Sequence, residues 1–259
     1  MRIIFDLRKS VAENAAEHYE KAKKLKKKLP GMEKAIADTK RKLDELPEEV
    51  VQQEKIEKRR TRRWFEKYRW FKASTGHLVV GGRDATTNET LIKKHMQPAD
   101  IVFHANIQGA PFFLIKNEGQ QVTEETKNQA AQAAASYSKA WARGLGSVDV
   151  YEVAPEQVSK SPPAGEYLPK GAFMVYGEKS WHRKMQLSAC IGIDDDVIIG
   201  GPEEAVRSHS SRYVVVGVGG IGQGKIAKKV AYLLGAGDLD EIQRHLPAGN
   251  SQVLKKVGL

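Results

Sequence analysis

The sequence predicts an α/β (α+β) globular domain with a mixed sheet, preceded by a long helical coiled-coil arm. Three observations carry this. Apolar residues recur at alternating four- and three-residue spacings through about residues 11–50. From Trp70 the period shortens, and runs such as HLVVGG and DIVFHA read as strands. Helical stretches alternate with those runs as far as the C-terminus.

A short strand at Ile3–Phe5 opens the chain, and Asp6 or Ser10 can cap the helix that follows. Its apolar positions run Val11, Ala15, Ala22, Leu25, Leu29, Met32, Ile36, Leu43, Leu46 and Val50, with His18 and Thr39 in the two polar gaps. Pro30 and Gly31 fall inside. Proline costs about 3 kcal/mol in a helix interior. The heptad phase nevertheless holds across Pro30, so the spacing predicts a kinked but continuous helix, about 55–60 Å long at the usual rise. Pro47, Glu48 and Glu49 read as a turn and a new helix start. This second helix, from about 48 to 69, folds back and covers about half of the first. The uncovered half then meets the globular part, or a second chain in a coiled-coil homodimer.

Strands are expected at 77–82, 100–105, 112–116 and 148–153, and helices near 86–97 and 123–142, the latter started by Thr123, Glu124 and Glu125. SKSPPAGEYLPKG at 159–171 reads as a long loop. The runs AFMVYG, LSACIGI, DVIIGG and YVVVGV follow as strands, with helices near 223–235 and 238–245. The resulting division is an arm over 1–69, a central module over 70–176 and a C-terminal α/β extension over 177–259.

With 259 residues the chain can build a real core. No apolar run reaches the roughly 18 residues that span a bilayer, and MRIIFDLRKS is too short for a secretory signal. No membrane association and a cytoplasmic location are expected. Cys190 is the single cysteine, so neither an internal disulfide nor a cysteine-cluster metal site can form. The net charge of +10 is unevenly placed: residues 1–72 hold 22 Lys and Arg against 13 Asp and Glu. Two peaks stand out, KAKKLKKK at 21–28 and KRRTRRWFEKYRWFK at 58–72. Such a field attracts phosphate backbones with salt-dependent affinity. The residues assigned to it are Lys24, Lys27, Lys28, Arg59, Arg60, Arg62, Arg63, Arg69 and Lys72.

Three motifs invite a chemical reading. Gly217, Gly219 and Gly222 fit GxGxxG, but the second strand and acidic ribose ligand of a dinucleotide site are missing. A glycine-rich strand-to-helix turn explains them, with an anion site on its amides left open. His77, Asp84, His95, Asp100 and His104 suggest a metal or acid–base site, yet no pair has HxxxH or HxH spacing. Asp100, Val102 and His104 share one strand face, the polar one, while Ile101, Phe103 and Ala105 face the core. No metal and no cofactor are expected. The third motif is GGRDATTNE, where Gly81, Gly82 and Arg83 adjoin a helix start at Asp84 or Thr86. Exposed amides, an arginine and small polar groups make a phosphate-accepting corner. Nearby WFEKYRWFK interleaves cations with rings, as RNA-binding surfaces do, and is expected to turn its rings inward and its Arg and Lys outward.

At FEKYRWFKASTGHLVVGGRDATTNETLIKKH, DIVFHANIQGAPFFLIKN and AASYSKAWARGLGSVDVYEV the chain resembles the RNA-binding module of the NFACT family, which includes NEMF and RqcH. FDLRKSVAENAAEHYEKAKKLKKKLPGMEKAI is similar to the start of the family's coiled coil. The resemblance covers most of residues 3–176, and residues 177–259 look like the extended ending of archaeal members. It implies a role in ribosome-associated quality control: binding a large ribosomal subunit blocked by peptidyl-tRNA, recruiting tRNA and supporting template-free addition of residues to the stalled chain. The implied partners are rRNA and tRNA on the large subunit and the family's N-terminal domains, expected to be absent from this chain. It should bind RNA, without catalysis of its own and without being competent for tailing alone. Carried over by motif, the contacts are Arg83, Asp84, Asn88, His104, Ser138, Trp141 and Arg143, with Trp141 open to a purely core role. Two other readings compete: a metal-dependent nuclease or hydrolase using Asp84 and His104, and a coiled-coil scaffold or adhesion protein of the fibronectin-binding type.

Overall fold

A computed structural model describes residues 6–7, 9–44, 63–162, 168–195, 197–236 and 238–259. The chain divides into two compact units, Met1–Arg62 and Arg63–Leu259.

In the first unit, α1 (Val11–Asp44) runs unbroken through Pro30. Its described side chains are exposed except for Asn14, so a carbonyl left without a partner by proline can turn to water. Ser10 starts the helix. Its hydroxyl accepts from the Glu13 amide at 3.3 Å, and the Glu13 carboxylate accepts from the Ser10 amide at 2.7 Å, a reciprocal cap. Asn14 ties the preceding turn down, accepting from the Asp6 amide at 2.8 Å and donating to its carbonyl at 3.0 Å. The heptad side chains Leu25, Leu29, Met32 and Ile36 are exposed. The strand expected at Ile3–Phe5, the turn at Pro47 and the second helix up to residue 62 lie outside the described residues.

The second unit begins with a 3-10 turn, Trp64–Lys67, and β1, Arg69–Lys72, where a helix to about residue 69 was expected. Phe65 and Tyr68 are pulled into the core and break the helical path. Then come β2 (Leu78–Gly81), α2 (Ala85–His95), β3 (Ile101–Ala105), β4 (Phe112–Ile115), α3 (Glu124–Ser136), α4 (Lys139–Ala142) and β5 (Ser147–Val153). One helix was expected over 123–142. It is interrupted at Tyr137 and Ser138, because the Ser138 hydroxyl donates to the Ala135 carbonyl and accepts from the Ala140 amide, capping a new turn. After β6 (Val158–Ser159), β7 (Met174–Val175) and β8 (Ser180–Gln186) the chain forms β9 (Ser188–Asp194), β10 (Val197–Gly201), α5 (Glu203–Arg207), β11 (Tyr213–Ile221), α6 (Gln223–Leu234), α7 (Leu239–His245) and β12 (Ser251–Val257).

Among the described residues, β1-β2-β4-β3-β5-β8 form one sheet and β10-β9-β11-β12 another, with β6 and β7 paired apart. The α+β class is as expected. The sheets, expected to be mixed, are antiparallel at each recorded pairing. The reason is local. β2 and β3 run parallel through the α2 crossover, but β4 inserts between them and gives each an antiparallel neighbour.

Both faces of the first sheet are buried. Val79, Phe103, Phe113 and Ile115 pack under the alanines of α3 and continue into Ile191, Val214 and Ile226 of the second sheet and its helix. Val80, Val102, Phe112 and Leu114 pack on the other side with Leu91 and Ile92 of α2. The expected polar face of β3 is thus a second core. Asp100 survives there by pairing with buried Lys116, whose ammonium also donates to the His95 carbonyl at 2.6 Å. The expected boundary at 176/177 falls just before β8, which completes the first sheet, and one core spans both sheets.

Candidate nucleic-acid interface

The GGRD turn shows how the backbone is used. Gly82 donates to the Phe112 carbonyl at 3.1 Å, while the Arg83 and Asp84 amides both donate to Thr87 Oγ1 at 2.9 Å. Asp84 completes a capping box by accepting from the Thr87 amide at 2.8 Å. The amides expected to be open to phosphate are therefore occupied. A Cβ on Gly82 would lie 2.5 Å from the Asn88 side chain, so the glycine serves close packing. The same holds at Gly219 in the GxGxxG run, where a Cβ would lie 2.7 Å from the Gln252 amide of β12.

Arg69, Arg83, Asp84, Asn88, His104 and Ser138 line one cavity of about 630 Å³. Their roles differ. Asn88 is buried; its amide donates to the Gly171 carbonyl at 2.8 Å and its oxygen accepts from the Phe112 amide at 2.8 Å. It clamps the 168–173 wall to the sheet. Ser138 is the buried cap of α4. Arg69 does not point outward as expected: its guanidinium lies 4.3 Å from the Tyr137 ring and donates to the carbonyls of Arg244 and Leu246. Burial pulls its pKa down to about 10, which leaves it charged. Arg83 is half-buried at the cavity wall and Asp84 exposed at its rim.

His104 is held on both sides. Nε2 lies 3.1 Å from the Ala110 carbonyl, which can only accept, so Nε2 carries the proton. Nδ1 then accepts from the Tyr151 hydroxyl at 3.2 Å. Burial pushes the imidazole pKa down to about 4, so it is neutral near pH 7. Asp84 uses Oδ1 to cap α2, and both His104 nitrogens are engaged within the fold. Among the described residues no three His, Cys, Asp or Glu side chains converge to hold a metal ion. Burial raises the pKa of the Cys190 thiol, leaving it a poor nucleophile.

The other expected contacts lie elsewhere. Trp141 is 1% exposed and donates to the Asn250 carbonyl at 3.0 Å, a core role. Arg143 is exposed just after α4, Arg63 and Lys72 are exposed near β1, and Lys24, Lys27 and Lys28 are exposed on α1. Arg59, Arg60 and Arg62 lie outside the described residues. Trp64, expected to be inward, is exposed and stacks on His95 with centroids 4.2 Å apart.

Strand pairing adds residues that motif reading missed. Phe112, His104, Tyr151 and Trp181 are successive cross-strand partners on β4, β3, β5 and β8. Their ring centroids are 4.5, 5.6 and 5.5 Å apart. Lys179 lies 4.5 Å from the Tyr151 ring and Arg183 lies 4.3 Å from the Trp181 ring. Lys139 and Lys170 stand exposed at the cavity rim. Only the WHRK run of β8, a ring among cations, signalled this in the sequence.

Residues 67–177 match the family described as NFACT protein RNA binding domain. The archaeal Rqc2 homolog aRqcH of Methanocaldococcus jannaschii is 40% identical over 218 residues, 82% of this chain and 32% of that protein. The ribosome quality control complex subunit NEMF of Homo sapiens is 38% identical over 174 residues, 65% of this chain and 16% of that protein. The chain thus spans a third or less of these relatives. The C-terminal part of the fibronectin/fibrinogen-binding protein from Streptococcus suis overlays with a TM-score of 0.41 at 20% identity, covering 78% of this chain and 80% of that one. Its overlay is too loose to bear on function. On the sequence matches and the motifs that carry them, the chain belongs to the NFACT family, through its RNA-binding domain.

Proposed function

We propose that this chain is the RNA-binding part of a ribosome quality control factor, engaging rRNA and tRNA on a large ribosomal subunit that carries peptidyl-tRNA. The observation that carries the reading is the ring-lined cavity built mostly from the matched domain, where Arg69, Arg83, Lys139 and Lys170 face a single carboxylate, Asp84. Cations beside aromatic rings suit phosphates and bases together. The exposed lysines of α1 are a separate cluster of positive charge. The relatives' names point to the same process. The chain acts there as a binder in the cytoplasm, with residues 1–69 as the arm and 70–176 as the RNA-facing module.

Filter binding of ribosomal RNA across a salt series tests this. Affinity should fall by about 10³ or more between 50 and 200 mM salt if six or more phosphates are contacted. Affinity that ignores ionic strength overturns the proposal. Charge reversal at Arg59, Arg60, Arg62 and Arg63 should weaken all RNAs alike, whereas Arg83→Ala should act only on RNAs that reach the cavity.

A further inference from the structure

The aromatic ladder runs from a closed end to an open one. Phe112 is 3% and Tyr151 7% exposed, while Trp181 is 37% exposed on the outermost strand of the sheet. Arg183 lies against the indole ring and is itself held by donating to Asp149 at 2.7 Å. At the inner end the cavity of about 630 Å³ is within the range of small-molecule sites and closed to a stacked duplex. Lys139 and Lys170 flank its mouth, and Arg83 lies inside.

Building on the RNA-binding reading, we propose that the cavity takes one unpaired nucleotide of an RNA strand, its phosphate between Lys139, Lys170 and Arg83, while the neighbouring base stacks on Trp181. A flat ring with a cation beside it accepts any base, so the site selects for being unpaired rather than for sequence. His104, neutral and engaged on both nitrogens, lends the ladder a ring without a charge. Duplex RNA then meets only the outer lysines and arginines.

Fluorescence anisotropy on the full chain tests this with two RNAs, a blunt duplex and the same duplex with a four-nucleotide single-stranded overhang. The overhang should bind about tenfold tighter, as expected for stacking of one or two bases. Trp181→Ala and the double variant Lys139→Glu/Lys170→Glu, all at exposed positions, should each remove most of that preference. Equal affinity for the two RNAs, or a preference untouched by both variants, overturns the nucleotide site while RNA binding stands. Failure of both RNAs to bind overturns the RNA reading itself. Adenosine monophosphate that competes as well as the overhang strand overturns the strand and marks a free-nucleotide site.

Discussion

His104 and His245 show how single residues couple this fold to pH. Burial pushes them down to about 4 and about 3, against an ordinary value of 6.5; for His245 the nearby Arg83 and Arg69 guanidinium groups add to it. The unfolded chain takes up these protons near pH 6.5, and the folded chain refuses them until far lower. Stability therefore rests on neutral imidazoles, is complete above pH 6.5 and declines as pH falls toward 4. The slope is at most about 1.4 kcal/mol per pH unit for each group. Urea denaturation at pH 7, 6 and 5 should show this loss, and His104→Gln should flatten it. A midpoint constant over that range would contradict the buried neutral state. The sequence marked His104 as a candidate without its state, because burial keeps it neutral and the partners that hold its ring, Ala110 and Tyr151, include one 47 positions away.

At the scale of elements, α2 separates capping from chemistry. Asp84 both starts the helix and lines the cavity, so a loss on mutation has two explanations. Asp84→Ala should cost about 1 kcal/mol, and Asp84→Asn, an equally good cap, should recover nearly all of it. Thermal denaturation of the pair decides: a variant Asn protein as unstable as the Ala one would mean that the carboxylate's charge, not its cap, matters. Strands with apolar runs were legible from sequence, as β2, β3, β4, β5, β9 and β10 show. β8 was not, since SWHRKMQ is exposed at most positions and carries no apolar alternation. Its partner β5 fixes it instead, with a bulge near Asp149. The short α5, opened by Pro202 and two glutamates, and the lysine-bearing β12 escaped for the same reason: packing on neighbours, not local pattern, holds them.

For the whole molecule, charge and family motifs pointed to RNA, and the structure supplied what composition could not, a single cavity fed by residues from Arg69 to Ala248. Lys170 reaches it beside Gly171, which Asn88 and Glu89 both hold. The ladder has a consequence for how the protein can be divided. Its last ring sits on β8, beyond residue 177, where the matched family domain stops. A protein ended there would leave β5, seven residues long, with a row of bare amides and carbonyls, and would strip Ile191, Val214 and Ile226 from the shared core. Such an edge is a template for aggregation. Residues 63–259 should run as one monodisperse species in light scattering, and residues 63–177 should self-associate; a well-behaved monomer from the shorter piece would refute this. The outline that relatedness draws around a domain is here narrower than the core it shares with the rest of the chain.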